Sequence, residues 1–181
     1  VADNYGLITS IALDPIEKKP LYRFHPGSRI LSAGSYGCNL RCSFCQNYGI
    51  SMCGSNARTV YLSPEELTQK AIELVPEGNI GIAFTYNEPL IGYEYVRDCA
   101  KAAKEKGLKI VLVTNGYINE EPLTELLPLV DAMNIDLKAF TEEFYKRISG
   151  CIEPVKKAIE TAAKSCHVEV TTLIIPGEND S

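Results

Sequence analysis

At 181 residues the chain has the length of one domain, and its hydrophobic fraction of 45% is that of an ordinary globular protein able to bury a core. A net charge of -5 excludes bulk attraction to nucleic acid, and no apolar run approaches the ~20 residues of a membrane span. Seven cysteines, an odd number with no secretory signal ahead of them, argue against a disulfide framework and for a reducing, cytoplasmic setting.

Residues 1 to 28 hold a strand-like stretch, Leu7 to Ala12, and a proline-punctuated turn region. They are expected to form an N-terminal extension packed at one end of a core that runs from 29 to 181. From Arg29 onward, short apolar runs alternate with helical periodicities, the pattern of consecutive βα units on a parallel sheet. Ile30 to Ala33 is the first strand and leads directly into a cysteine-rich loop. Ser63 with Glu66 makes a capping box for a helix whose apolar face is Leu67, Ala71, Leu74 and Val75. Ile80 to Thr85 is the second strand. Val96, Cys99, Ala100 and Ala103 recur at helical spacing, and Gly107 stops that helix. Ile110 to Val113 is the third strand. A helix carries Leu123, Leu126, Leu127 and Val130, with Pro122 in its first turn, and Ala132 to Asp136 is the fourth strand. Val155, Ala158, Ile159 and Ala162 mark the next helix, before a long fifth strand from Val168 to Ile175. The chain starts at Val1 and stops on the turn-rich Pro176-Gly177-Glu178-Asn179-Asp180-Ser181, as expected of a piece of a longer protein. Periodicity alone does not separate a barrel from an open doubly wound sheet.

The loop after the first strand reads Cys38-Asn39-Leu40-Arg41-Cys42-Ser43-Phe44-Cys45, a CxxxCxxC triad in polar surroundings. No CxxC or paired histidine lies elsewhere to complete a tetrahedral zinc set. Iron-sulfur cubanes usually take four cysteines, so three ligands leave one iron open to a small molecule. Polar residues also gather where parallel βα folds place function, at the C-terminal ends of strands. Asn87 and Glu88 follow the second strand, Asn115 follows the third, and Asp136 with Lys138 closes the fourth. Asp136 sits among apolar neighbours, where a carboxylate requires a partner, and Lys138 lies on the same side of the strand. A structural ion pair is one reading of these two. For Glu88, a helix N-terminal acid is the corresponding alternative. Cys53, Cys99, Cys151 and Cys166 lack ligand spacing and read as packing residues. His25 and His167 have no partner at catalytic spacing.

The triad, with Phe44 just before its third cysteine, resembles the signature of the radical S-adenosylmethionine (SAM) enzymes. Asp14-Pro15-Ile16-Glu17-Lys18-Lys19-Pro20, Cys45-Gln46-Asn47, Thr85-Tyr86-Asn87-Glu88-Pro89, Thr114-Asn115-Gly116 and Asp136-Leu137-Lys138 extend the likeness. They are similar to the branch of the pyruvate formate-lyase activating enzymes, and within it to the AmmeMemoRadiSam system radical SAM enzymes. The resemblance implies an α/β fold, a partial (β/α)6 barrel truncated after the fifth strand, with residues 29 to 181 as an incomplete radical SAM core. It implies a 4Fe-4S cluster on Cys38, Cys42 and Cys45, and SAM held by Phe44, Asn87, Glu88, Asn115, Asp136, Lys138 and Thr172. Family enzymes often carry Gly-Gly-Glu where this chain has Tyr86-Asn87-Glu88, so the acid fits and the two glycines do not. The implied activity is reductive cleavage of SAM to a 5′-deoxyadenosyl radical for hydrogen abstraction. A glycyl-radical-enzyme activase is the leading form, with a protein or peptide substrate and a flavodoxin or ferredoxin as electron donor. Modification of another protein, peptide or small molecule is the alternative, and a non-catalytic iron-sulfur or zinc protein is a further one.

Overall fold

The computed structural model describes residues 2–180; Val1 and Ser181, the outer ends of the expected extension and core, lie outside them. In chain order the elements are β1 (Leu7–Ile8), β2 (Ser10–Pro15), β3 (Arg29–Gly34), α1 (Tyr48–Ser51), β4 (Val60–Tyr61), α2 (Pro64–Glu73), β5 (Asn79–Phe84), α3 (Tyr93–Glu105), β6 (Lys109–Thr114), α4 (Glu120–Leu126), β7 (Ala132–Asp136), α5 (Glu142–Arg147), α6 (Ile152–Ala162) and β8 (His167–Thr171). The main sheet runs β2-β3-β5-β6-β7-β8, and β1 pairs with β4 apart from it. From β3 to β8 every neighbouring pair in the main sheet is parallel.

Alternating residues explain the layering. Leu31, Ile82, Ile110, Leu112 and Met133 face the helices, where Leu67, Val96, Cys99, Leu123 and Val155 complete one apolar cluster. The opposite face carries Ile30, Ala83, Val111 and Ala132. Two of these four are alanine, and the room they leave is filled by Ile16 and Leu21 from the N-terminal segment. Helix α2 starts at the expected capping box: Ser63 Oγ accepts from Glu66 N at 3.2 Å and Glu66 Oε2 from Ser63 N at 2.8 Å. Gly107, at φ +73°, follows α3 in the left-handed backbone that stops it.

The N-terminal segment is built into the barrel to a greater degree than an extension packed at one end. Its strand β2 pairs antiparallel with β3 from Ser10↔Gly34 to Pro15↔Arg29. The chain then crosses the N-terminal mouth of the strands and reaches β8. There Glu169 accepts from Tyr22 N at 3.0 Å and from Arg23 N at 2.9 Å. The fifth strand is also shorter than its apolar run: β8 ends at Thr171. Side-chain hydrogen bonds draw the following residues away from strand geometry, as Thr172 Oγ1 bonds Leu137 O at 2.7 Å and Asn179 Nδ2 bonds Lys138 O at 2.7 Å. The helix expected through Val130 stops as an α-helix at Leu126, and a 3-10 turn with Pro128 completes it.

Candidate metal centre and cofactor cavity

The cysteine loop leaves the C-terminal end of β3 through Gly37, whose φ of +96° favours glycine and whose neighbour is the end of the Ile91 side chain. Leu40 is the loop's apolar anchor, with its side chain fully buried, and Arg41 N donates to Ile148 O at 2.8 Å. Between these anchors Cys38, Cys42 and Cys45 are half-buried free thiols. Burial raises the Cys38 thiol above its ordinary range and pushes Cys42 up to about 11. The nearby Lys138 ammonium works against that shift at both, so an arriving metal displaces thiol protons beside a fixed positive charge.

Asn87 holds the start of the loop. Its Oδ1 accepts from Ser35 N at 3.0 Å, and its Nδ2 lies 3.2 Å from the carbonyls of Tyr36 and Gly37. Both ends of the amide are thus engaged by the backbone leading to Cys38. Glu88 is 3% exposed and ties three elements together. Its Oε1 accepts from Leu90 N at 3.0 Å and from Thr114 Oγ1 at 2.7 Å, and its Oε2 accepts from Asn115 N at 2.7 Å. Desolvation raises its pKa, and these hydrogen bonds oppose the shift. A carboxylate offers about four lone-pair directions, so one remains, on Oε2. Asn115 passes the connection on, its Nδ2 standing 3.7 Å from Cys38 Sγ and 2.8 Å from Asn39 Oδ1.

Lys138 Nζ meets Asp136 Oδ2 at 2.8 Å, with side chains 20% and 35% exposed. The sequence expectation of a partner for Asp136 therefore holds, although the carboxylate is less buried than its apolar neighbours suggest. Burial works to lower the Lys138 pKa, and Asp136, followed by Cys42 and Glu88, outweighs it and raises it. Phe44 lies 6.0 Å from the ring of Phe144. Thr172 sits just past β8 rather than within it.

All ten of these residues line a single cavity of about 580 Å³ at the C-terminal ends of the strands. Cys53, Cys99, Cys151 and Cys166 do not join it. Cys99 is a core residue, and Cys53 Sγ bonds Ile50 O at 3.0 Å. His167 does have a partner, Glu169 at 2.9 Å, on the strand that receives the N-terminal crossing. The same cavity also contains Asp14, Lys19, Tyr86, Asn134 and Thr171, which the sequence reading did not place in a site. Asp14, Lys19 and Tyr86 lie in stretches that carry the family likeness, and Tyr86 leaves a further signal: where family enzymes carry glycine, this tyrosine adopts φ +74° and keeps a glycine-like backbone.

A mostly parallel sheet with a thiol triad on the loop after β3 matches the radical SAM class. The chain matches the Radical SAM superfamily over residues 33–181 and belongs to it. Uncharacterized protein MJ0808 of Methanocaldococcus jannaschii is 43% identical over 183 residues, covering 99% of this chain and 53% of the relative. The pyruvate formate-lyase-activating enzyme of Clostridium pasteurianum is 31% identical over 154 residues, covering 79% and 63%. Pyruvate formate-lyase 1-activating enzyme of Escherichia coli (strain K12) is 27% identical over 161 residues, covering 86% and 64%. The chain thus spans between 53% and 64% of the length of these relatives. A structure of TYW1 with a lysine-pyruvate adduct bound superposes with a TM-score of 0.59 at 16% identity, over 94% of this chain and 67% of that one. Methylornithine synthase (PylB) gives 0.56 at 19% identity, over 82% and 46%. These two likenesses show the fold.

Members of the superfamily bind a 4Fe-4S cluster and SAM. The donor set fits: three free thiols on one loop, half-buried, open to a cavity that also carries charged and amide groups. Among the described residues no three His, Cys, Asp or Glu side chains converge on a single-ion site. Cysteines that ligate different irons of a cluster have no need to meet at one point.

Proposed function

We propose that this chain is the SAM-cleaving core of a radical enzyme, and that it acts as a glycyl-radical-enzyme activase of the pyruvate formate-lyase activating type. The observation that carries the reading is the single cavity shared by Cys38, Cys42 and Cys45 with Glu88, Asn115, Asp136 and Lys138. A 4Fe-4S cluster and SAM held there would supply one-electron reductive cleavage of SAM, with the electron from an external donor, for abstraction of a hydrogen atom from a partner's glycine Cα.

The chain's own residues bind, orient and exclude water. Asn87 and Leu40 hold the cysteine loop in register. Glu88 would offer its remaining lone pair to the SAM ammonium, and Asp136, Lys138 and Asn115 would meet the ribose and carboxylate, with Phe44 and Thr172 at the margins. Kinship with the two activating enzymes supports a protein substrate and a flavodoxin or ferredoxin as electron donor. A second reading is modification of another protein, peptide or small molecule in an AmmeMemoRadiSam system. The test is label transfer. With a candidate glycyl-radical enzyme carrying α-deuterated glycine, the first reading expects deuterium in 5′-deoxyadenosine and a glycyl radical by electron paramagnetic resonance. SAM cleavage without transfer from any such partner would move the assignment to the second.

A further inference from the structure

The floor of the cavity holds a charged group that neither the cysteine loop nor the expected SAM contacts employ. Lys19 is 2% exposed, its Nζ 3.0 Å from Asp14 Oδ2 and 4.8 Å from the centre of the Tyr86 ring. Asp14 also accepts from Lys18 Nζ at 3.0 Å and from the Tyr86 hydroxyl at 2.7 Å, so both lone-pair directions of Oδ2 are used and one remains on Oδ1. An ammonium carries three N–H donors, and among the described residues Asp14 is the one acceptor that Lys19 Nζ meets. Asn134, 1% exposed, lines the same cavity. Its Nδ2 donates to Pro20 O at 3.1 Å and Thr171 Oγ1 at 2.8 Å, while its Oδ1 has no partner among the described residues.

A structural pin for the N-terminal segment would explain the ion pair alone. It would leave the spare donors of Lys19 uncompensated, whereas such groups are normally satisfied. Buried ion pairs also give no stability beyond what apolar residues of similar volume give. With Lys18 and Lys19 against Asp14, this corner of the cavity carries one net positive charge.

We propose that Lys19 forms a recognition floor for a carboxylate carried by the substrate whose hydrogen is abstracted. Lys19 donates to the carboxylate, and Asp14 and Tyr86 are positioning residues that hold the Lys19 side chain. Tyr86 does so through its left-handed backbone, which sets the ring beneath Lys19. The inference rests on the reading of this cavity as a radical SAM site and adds the chemistry of the substrate.

The test is a ligand-observed NMR titration of the anaerobically reconstituted, SAM-loaded protein with three probes: N-acetylglycine, capped aspartate amide and the neutral N-acetylglycinamide. At least tenfold tighter binding of one carboxylate probe over the neutral amide is expected. Which one binds tells a terminal carboxylate from an acidic side chain. Lys19→Met should abolish the preference while keeping the cluster's visible absorbance, and Lys19→Arg should restore part of it. Equal binding of all three probes, or no binding of any, overturns the proposal even if Lys19→Met does not fold. Failure of the radical SAM reading shows separately, as no 5′-deoxyadenosine on reduction.

Discussion

Glu88 Oε2 accepts the backbone N–H of Asn115 at 2.7 Å, and Asn115 in turn reaches Cys38 Sγ at 3.7 Å, so one buried carboxylate links the ends of β5 and β6 to the first cysteine. Glu88→Gln places an amide NH2 where backbone N–H groups now find an acceptor. The expected outcome is a stability loss of about 1 to 3 kcal/mol in denaturant unfolding, together with weaker SAM binding at retained cluster content. Unchanged stability with lost SAM affinity would assign Glu88 to the ligand alone.

Asp14 and Lys19 give a pH-dependent prediction. Burial works to raise the Asp14 pKa, but hydrogen bonds from Tyr86, Lys18 and Lys19 outweigh it and hold it well below the usual carboxylate range. A depressed carboxylate contributes stability that is present above its unfolded pKa and lost as pH falls through the folded one, so this contribution fades below about pH 4. Asp14→Asn strands the Lys19 ammonium and is expected to cost about 3 to 5 kcal/mol at neutral pH. Desolvation already lowers the Lys19 pKa, so the penalty should shrink as alkaline pH deprotonates it. The double variant Asp14→Asn with Lys19→Met should recover most of the loss. A flat pH profile for Asp14→Asn would contradict the pairing.

The Asp136 and Lys138 pair is only partly buried, and such pairs contribute about 0 to 1 kcal/mol to stability. Asp136→Asn and Lys138→Ala should therefore unfold close to wild type while SAM affinity, read by calorimetric titration, falls by about tenfold. Intact affinity in both would return the pair to a structural role.

Glu169 anchors the N-terminal crossing through Tyr22 N and Arg23 N. Glu169→Ala leaves both exposed amides to water and should cost about 0.5 to 1.5 kcal/mol. Limited proteolysis should then cut near residues 20 to 25 faster than in wild type. Equal cutting rates would show that the buried Leu21 and Ile16 hold the crossing unaided.

Much of this architecture is legible in the sequence because it is local. The capping box at Ser63, the helical spacing of Val96 to Ala103 and the apolar runs of the strands each signal their element, and Ala132 to Asp136 is found at its expected bounds. The triad is legible because its spacing is specific. What escaped is non-local. The pairing of β2 with β3 and the contact of Arg23 with Glu169, 146 residues away, leave no periodicity to read. The cavity floor is non-local too: Lys19 stands in the Asp14 to Pro20 stretch that carries the family likeness, but only the fold brings its ammonium over the Tyr86 ring. The end of β8 was misplaced because Val170, Leu173 and Ile174 read as a strand, whereas hydrogen bonds of Thr172 and Asn179 break it.

The central claim is that three cysteines, and no fourth, hold a cluster that cleaves SAM. Its most direct measurement pairs iron and sulfide analysis of the anaerobically reconstituted protein with 5′-deoxyadenosine formed on reduction in the presence of SAM, for wild type, Cys42→Ala and Cys53→Ala. The account predicts about four iron and four sulfide per chain with product in wild type and Cys53→Ala, and loss of both cluster and product in Cys42→Ala. Loss in Cys53→Ala as complete as in Cys42→Ala, or a full cluster that yields no 5′-deoxyadenosine, would contradict it.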